Sequence, residues 1–176
     1  MLSILQLIVD AVATILGGVL LLRFWMQAIR VRPPASVSQF TFTLSDWLVR
    51  PMRRIVPGVG GYDWASLIGA FLVVALATSI YLLTGMPGEL VAKLAVFRFL
   101  SWILYGFMAL LIVEAVFSWI NPNAPLAPFV RALNDPLLRH LRRVVPLVGG
   151  LDLSMLVALI LLQIAQIVLQ MLFGYR

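Results

Sequence analysis

The sequence predicts an all-α membrane protein whose four transmembrane helices form two parallel tandem hairpin repeats, each with a short amphipathic cytoplasmic helix. Three observations predict this fold class. The 176 residues are 62% hydrophobic and only 11% charged, whereas soluble chains average about 45–50% apolar and about 25% charged residues. Four long apolar stretches follow one another along the chain. A charged block occurs twice, each time between two of these stretches.

The apolar stretches are long enough to cross a membrane, which requires about 20 predominantly apolar residues. We expect helices over residues 2–28, 64–85, 97–120 and 153–174. The first stretch has no basic residue before it and is too long for a signal peptide, so we interpret it as a retained helix. The first repeat then covers residues 1–88 and the second covers 89–176.

The duplicated block establishes the repeat. Residues 44–67 read LSDWLVRPMRRIVPGVGGYDWASL and residues 133–156 read LNDPLLRHLRRVVPLVGGLDLSML. Aligned without a gap, 13 of the 24 positions are identical. Because each repeat contributes an even number of spans, both copies enter the membrane in the same sense, unlike the inverted repeats of many transporters.

Each copy of the block predicts a basic helix lying on the inner leaflet. At 100° per residue the arginines fall within one arc and apolar side chains fill the other side. In the first copy the apolar side holds Leu44, Leu48, Met52 and Ile55, and in the second Leu133, Leu137, Leu141 and Val144. The arginines are Arg50, Arg53, Arg54, Arg139, Arg142 and Arg143. We expect Asp46 and the pair Asp135-Pro136 to start these helices, and Pro51 to kink or delay the first one.

A tight turn should follow each basic helix, because paired glycines permit a positive φ. An aspartate comes next, where the following span needs an N-cap. The turn and cap residues are Gly60, Gly61 and Asp63 in the first copy and Gly149, Gly150 and Asp152 in the second.

The basic residues predict the orientation of the spans. The two loops that carry the duplicated block hold nine arginines, and the other side holds Lys93, Arg98 and Arg176. We therefore expect both loops in the cytoplasm and both termini outside.

Four charges lie within the spans, where an unpaired charge is costly. Arg23 and Glu114 each stand about six residues before the cytoplasmic end of their helix, and Asp10 and Arg98 lie towards the outer ends. Matching depth predicts that spans one and three pack together through the pairs Arg23–Glu114 and Asp10–Arg98. In the alternative interpretation the same charges line a proton or cation path.

Span four carries three glutamines, Gln163, Gln166 and Gln170, spaced i, i+3 and i+7. This polar face would close the four-helix bundle, line a pore or mediate oligomerisation. The sequence leaves these three options open.

The composition argues against most enzymatic and nucleic-acid functions. The chain has no cysteine and a single histidine, His140, so thiolate sites and multi-histidine metal sites within one chain are excluded. No nucleophile turn accompanies the histidine. We favour a packing role at the membrane interface for His140 over a role as haem ligand. We predict no catalytic, cofactor or metal site. We also predict no nucleic-acid binding, because the positive charge flanks apolar spans.

With these two blocks, the chain resembles the YggT family, also called YlmG, over essentially its whole length. The pattern R-x-x-R-R-x-x-P…G-G-x-D occurs twice, and the departures are Trp47 and His140 where proline is common. The resemblance implies a small integral membrane protein whose relatives are implicated in cytochrome-complex assembly, in division or nucleoid distribution, and in osmotic or ion tolerance. It transfers no catalytic residues.

Residues and resemblance together favour a non-enzymatic protein of the bacterial inner membrane that organises or helps to assemble other membrane components. Its arginine faces would bind anionic lipid headgroups or an acidic partner, with other membrane proteins as neighbours and a homo-oligomer as one possible state. The alternative is a small ion-transport or osmotic-tolerance protein that acts as an oligomer.

Overall fold

The computed structural model describes residues 2–145 and 153–175, and over these residues the chain is helical. Six α-helices follow one another: α1 (Leu2–Ala28), α2 (Ala35–Ile55), α3 (Trp64–Ser79), α4 (Gly88–Ile120), α5 (Ala127–Leu141) and α6 (Ser154–Phe173). A 3-10 turn, Ile80–Thr84, continues α3.

Four of these helices are long and apolar enough to cross a membrane. They are the segments Ile4–Ala28, Trp64–Thr84, Gly88–Ile120 and Ser154–Phe173. The chain is therefore a membrane protein with four candidate transmembrane helices, and the predicted fold class is confirmed at this level.

The third span begins earlier than its apolar run indicated. Helix α4 starts at Gly88 instead of residue 97, directly after Pro87, whose carbonyl accepts the first helical hydrogen bonds. Its 33 residues extend about 50 Å, whereas the hydrocarbon core is about 30 Å thick. The helix is therefore long enough to carry Glu89 and Lys93 beyond the apolar layer.

The helices between the spans also begin earlier than predicted. Asp46 lies in the middle of α2, and Asp135-Pro136 lies inside α5. The expectation that these residues start the helices is therefore wrong. Pro51 is likewise inside α2. Both helices also include residues that precede the duplicated block, 35–43 in α2 and 127–132 in α5.

The described chain divides into two compact units. One comprises residues 2–30 and 35–103, and the other comprises 31–34 together with 104–145 and 153–175. The division falls within α4, between Ile103 and Leu104.

In the first unit, α1, α2 and α3 enclose a core of Leu20, Val49, Ala65 and Ala70. Small residues on α3 allow α2 to approach closely: a Cβ added at Gly69 would lie 3.4 Å from the sulfur of Met52. The first half of α4 contacts α1 in the same unit, where a Cβ on Gly17 would clash with the Trp102 ring.

The second unit has an equivalent core built from larger side chains. Leu111 of α4, Leu138 of α5, and Ala158 and Leu162 of α6 are buried together. Leu138 aligns with Val49 of the first repeat, so the same position of each connecting helix enters the core.

Candidate functional site

In the first repeat, a buried arginine joins the first span to the connecting helix. Arg23 of α1 is only 6% exposed. Its Nη1 donates to Ser45 Oγ and to Asp46 Oδ1, both at 2.7 Å. The guanidinium carbon lies 4.8 Å from the centroid of the Phe42 ring, which is cation–π distance. Arg23 therefore fixes α2 against α1.

Asp63, just before α3, is the second carboxylate of this cluster and is 2% exposed. Arg53 Nη2 donates to its Oδ2 at 2.7 Å, Ser66 Oγ donates to the same oxygen at 2.6 Å, and Arg23 Nε lies 3.4 Å away. Burial raises the pKa of Asp63, but the hydrogen bonds from Arg53 and Ser66 outweigh it and hold the pKa below its usual value. Asp63 is therefore ionised near neutral pH.

The same contact also shifts the pKa of Arg53. The hydrogen bond to Asp63 raises the pKa of the Arg53 guanidinium. Asp63 occupies the N-cap position of α3, but its side chain bonds no backbone N–H there. The predicted capping role is therefore wrong in its chemistry, because the carboxylate binds Arg53 and Ser66 instead.

Asp46 lies between an inward and an outward arginine. The hydrogen bond from Arg23 lowers the pKa of Asp46, with a smaller contribution from Arg50. Arg50 Nη2 lies 2.8 Å from Asp46 Oδ2, one turn along α2, and its side chain is 78% exposed. The Arg50 pair is a surface pair, whereas the Arg23 pair joins a buried guanidinium to a partly exposed carboxylate.

The second repeat holds its connecting helix with the opposite charge on the span. Glu114 of α4 is 4% exposed. Asn134 Nδ2 donates to Glu114 Oε2 at 2.8 Å and to the Leu110 carbonyl at 2.9 Å. Arg142 Nη2 lies 3.4 Å from Glu114 Oε1. A buried acid on the span therefore receives donors from the end and the middle of α5.

The repeat alignment makes these two contacts equivalent. Asn134 aligns with Ser45, and Arg142 aligns with Arg53. In each repeat the first of these positions bonds the preceding span, and the second turns its guanidinium inward to a carboxylate. A buried charge that keeps a hydrogen-bonded partner fixes the geometry of its helix, because losing that partner is costly.

Within each unit, the buried charges of the spans have partners outside the spans. Arg23 has Asp46 and Asp63 as ionic partners, and Glu114 has Arg142. The Arg23–Glu114 pair would join residues of the two separate units and stays a prediction, but matching depth along the spans did not anticipate the partners on the connecting helices. The structure does bring Arg98 Nη2 and Asp10 Oδ1 to 2.5 Å.

The six arginines of the duplicated block separate into an inward and an outward set. Arg53 and Arg142 reach Asp63 and Glu114. Arg53 is still 46% exposed, so the two sets differ in their carboxylate contact and not in exposure alone. The outward set is exposed and consists of Arg50, Arg54, Arg139 and Arg143.

An exposed aliphatic residue follows an outward arginine at the end of α2 and in the turn just after α5. Ile55 is 84% exposed and Val144 is 81% exposed. The sequence predicts both on the apolar side of the helix opposite the arginines, and an exposed position is compatible with contact to lipid there. The two positions align in the repeat, so the pairs Arg54-Ile55 and Arg143-Val144 are equivalent surface features.

The glycine turn of the first repeat has the backbone predicted for it, with φ of 68° at Gly60 and 84° at Gly61. Gln27 Nε2 donates to the Gly61 carbonyl at 3.4 Å. The equivalent Gly149, Gly150 and Asp152 lie outside the described residues.

Sequence reasoning missed an aromatic cluster beside this turn. The rings of Phe24, Tyr62 and Trp64 have centroids 6.1 to 6.3 Å apart, and Trp64 Nε1 donates to the Val59 carbonyl at 3.1 Å. Aromatic residues are typical of membrane–water interfaces, so their spacing around the start of the second span was the available signal.

The described residues hold no group of three or more His, Asp or Glu side chains suited to a metal ion. His140 is exposed on α5, with Nδ1 3.4 Å from the Pro136 carbonyl. The geometry instead consists of charged contacts that position two basic helices.

Comparison with known proteins agrees with this architecture. The CCB3/YggT family model matches residues 1–84 and 94–173. YggT of Escherichia coli K12 is 30% identical over 168 residues, which cover 91% of this chain and 86% of that protein. A Haemophilus influenzae protein is 32% identical over 175 residues, covering 98% and 96%. A Vibrio alginolyticus protein encoded in the proC 3' region is 33% identical over 154 residues, covering 84% and 83%.

No solved structure matches the chain. The two matched segments together span most of the sequence and each contains one hairpin with its connecting helix. The chain therefore belongs to the CCB3/YggT family.

Proposed function

We propose that this protein is a non-enzymatic organiser of the bacterial inner membrane, which binds anionic lipid headgroups through two rigidly held basic helices and so helps to position or assemble other membrane proteins. The basic loops face the cytoplasm in this proposal and both termini lie outside, as the distribution of arginines indicates.

The observation that carries the proposal is the equivalence of Arg54-Ile55 and Arg143-Val144. In both repeats the neighbouring arginine turns inward to a carboxylate, while this pair stays exposed. An arginine beside an aliphatic side chain suits a membrane interface, where the cation meets phosphate and the aliphatic group enters the acyl boundary.

The buried contacts favour connecting helices that are held rigidly against the spans, in contrast to flexible loops. Arg23 holds α2 through Ser45 and Asp46, and Glu114 holds α5 through Asn134. Each outward arginine therefore has a defined position relative to its span. A fixed pattern of cations selects for anionic lipid more sharply than a mobile loop of equal charge.

The exposed aromatic side chains of α2 agree with an interfacial location. Phe40 and Trp47 are exposed seven residues apart, on the same side of the helix as Arg54. Aromatic residues favour the headgroup region, where one end of the side chain is apolar and the other is hydrated.

The chain offers a matched pair of variants for a test. Arg54→Gln/Arg143→Gln removes two outward charges, and Arg53→Gln/Arg142→Gln removes two inward charges at adjacent positions. Each arginine near an anionic surface contributes about 1 kcal/mol, so the outward variant should bind anionic lipid about thirtyfold more weakly. The inward variant should keep the preference and lose stability.

The measurement is a titration of the purified protein in detergent with fluorescent phosphatidylglycerol, and with phosphatidylcholine as the neutral control. A wild-type protein without preference for phosphatidylglycerol would refute lipid binding. So would an outward variant that binds like the wild type.

The organising role has its own test, by crosslinking in native membranes followed by identification of the neighbours. The account predicts a defined set of membrane proteins that is reduced in the outward variant. The transport alternative predicts instead that reconstituted protein conducts ions, and that Glu114→Gln abolishes the conductance.

A further inference from the structure

The three glutamines of α6 do not share one environment. Gln166 is buried, on the inward side that also holds Ala158 and Leu162. Gln163 is exposed, and Gln170 is half-buried. The single polar face suggested by the sequence is therefore divided, and Gln163 projects away from the core of its own unit.

Gln163 is the tenth residue of the twenty in α6. At about 1.5 Å per residue it lies about 15 Å from either end of the helix, near the middle of a hydrocarbon layer about 30 Å thick. Its amide is too far from either interface to reach water. A polar group without a partner in hydrocarbon costs several kcal/mol, so this position favours a partner helix.

Four exposed residues of α6, Gln163 among them, and the half-buried Gln170 have the spacing of a helix–helix seam. We define the α6 seam as Leu156, Ile160, Gln163, Ile167 and Gln170, whose intervals are four, three, four and three residues. This is the heptad period of left-handed helix packing, which most transmembrane helix pairs adopt. The centre of the seam lies about 120° around the helix from the buried stripe of Ala158, Leu162 and Gln166.

We propose that the α6 seam is the interface between two copies of this chain, which pair α6 with α6 in parallel through Gln163. All copies of a membrane protein insert with the same orientation, so two α6 helices meet in parallel and each seam residue faces its own counterpart. An amide both donates and accepts, so Gln163 and its counterpart satisfy each other.

The residue types on the seam favour two copies over three or four. In heptad terms, Ile160 and Ile167 occupy a positions, and Leu156, Gln163 and Gln170 occupy d positions. Branched Ile at both a positions and Leu at the first d position follow the two-stranded pattern, and the polar residues at the other d positions fix the register. Gln170, one heptad from Gln163, repeats the same pairing towards the end of the helix.

The absence of cysteine from the chain makes the interface directly testable. Single variants Ile160→Cys and Ile167→Cys place a thiol on the seam. Leu161→Cys and Val168→Cys are matched controls, because they are exposed to a similar degree and also lie seven residues apart, but on another side of α6. Each purified full-length variant is reconstituted in dilute neutral vesicles and oxidised.

The proposal predicts a covalent dimer for Ile160→Cys and Ile167→Cys, and little for the two controls. Equal crosslinking at all four positions would mean random collision and would overturn the proposal. A protein that remains monomeric in every variant would overturn it as well, since α6 would then be covered within its own chain.

The role of Gln163 is separable from the geometry of the seam. In the Ile160→Cys background, Gln163→Leu should weaken dimerisation roughly threefold to thirtyfold, while Gln163→Asn should retain part of it. Unchanged dimerisation in Gln163→Leu would contradict the assigned amide pairing. These variants leave α2 and α5 intact, so failure here is distinguishable from failure of lipid binding.

Discussion

The ion pair between Arg23 and Asp46 should couple the first span to α2, and a double-mutant cycle measures that coupling. Arg23→Met removes a 2.7 Å hydrogen bond to Ser45, the pair with Asp46 and the contact with Asp63. Both carboxylates keep another arginine after this change, so the cost is that of lost hydrogen bonds to a charged group, about 1.5–3 kcal/mol. We expect the free energy of unfolding to fall by an amount in this range.

Asp46→Asn should cost less, because Asp46 is partly exposed and an amide still accepts a hydrogen bond. In the Arg23→Met background the same change should be almost neutral, since the carboxylate no longer has its buried partner. The difference between the two backgrounds is the coupling energy, and we expect at least about 1 kcal/mol.

The surface pair between Arg50 and Asp46 supplies the control. Arg50 is 78% exposed and lies one helical turn from Asp46. Pairs of this kind contribute about 0.3–0.5 kcal/mol, so the Arg50→Gln cycle should give a much smaller coupling. Unfolding in a mild detergent, followed by tryptophan fluorescence, measures all the variants. Additive losses for Arg23 and Asp46 would refute the coupling.

Two further predictions concern pH and packing. The pKa values of Asp46 and Asp63 are both lowered from 3.8, so their contribution to stability is present above that pH and is lost as the pH falls through the folded-state pKa values. The free energy of unfolding should therefore be constant near neutral pH and decrease in acid. The decrease should be smaller in the Asp46→Asn/Asp63→Asn variant, and an equal decrease in the variant and the wild type would contradict the assignment. Gly17→Ala should destabilise the protein by about 1–3 kcal/mol, because its Cβ meets Trp102, whereas Gly18→Ala meets nothing within 4 Å and should stabilise the helix by up to about 1 kcal/mol. Equal effects of the two glycine changes in the same unfolding assay would contradict that packing.

The sequence was sufficient to predict the spans because hydrophobicity and length are local properties. The predicted range 2–28 agrees with α1, and 153–174 agrees closely with α6. The starts of α2 and α5 were missed because their first turns lack the duplicated pattern and carry Ser or Pro, which are ambiguous signals.

The partners of the buried charges could not be predicted from depth along the spans. Arg23 and Glu114 each bond a connecting helix, and that helix reaches the span only through tertiary packing around Val49 or Leu138. The inward and outward arginines are adjacent in sequence and identical in type. The two arginines of each adjacent pair differ only in whether a carboxylate lies within reach. Asp63 is the partner in the first repeat and Glu114 is the partner in the second.

The central claim is that both basic helices present their outward arginines at the same face of the membrane. Because the chain has no cysteine, the single variants Arg54→Cys, Arg143→Cys and Lys93→Cys can be labelled with an impermeant maleimide in intact and permeabilised cells. The account predicts that positions 54 and 143 react only after permeabilisation and that position 93 reacts in intact cells. Labelling of 54 and 143 from opposite faces would contradict it.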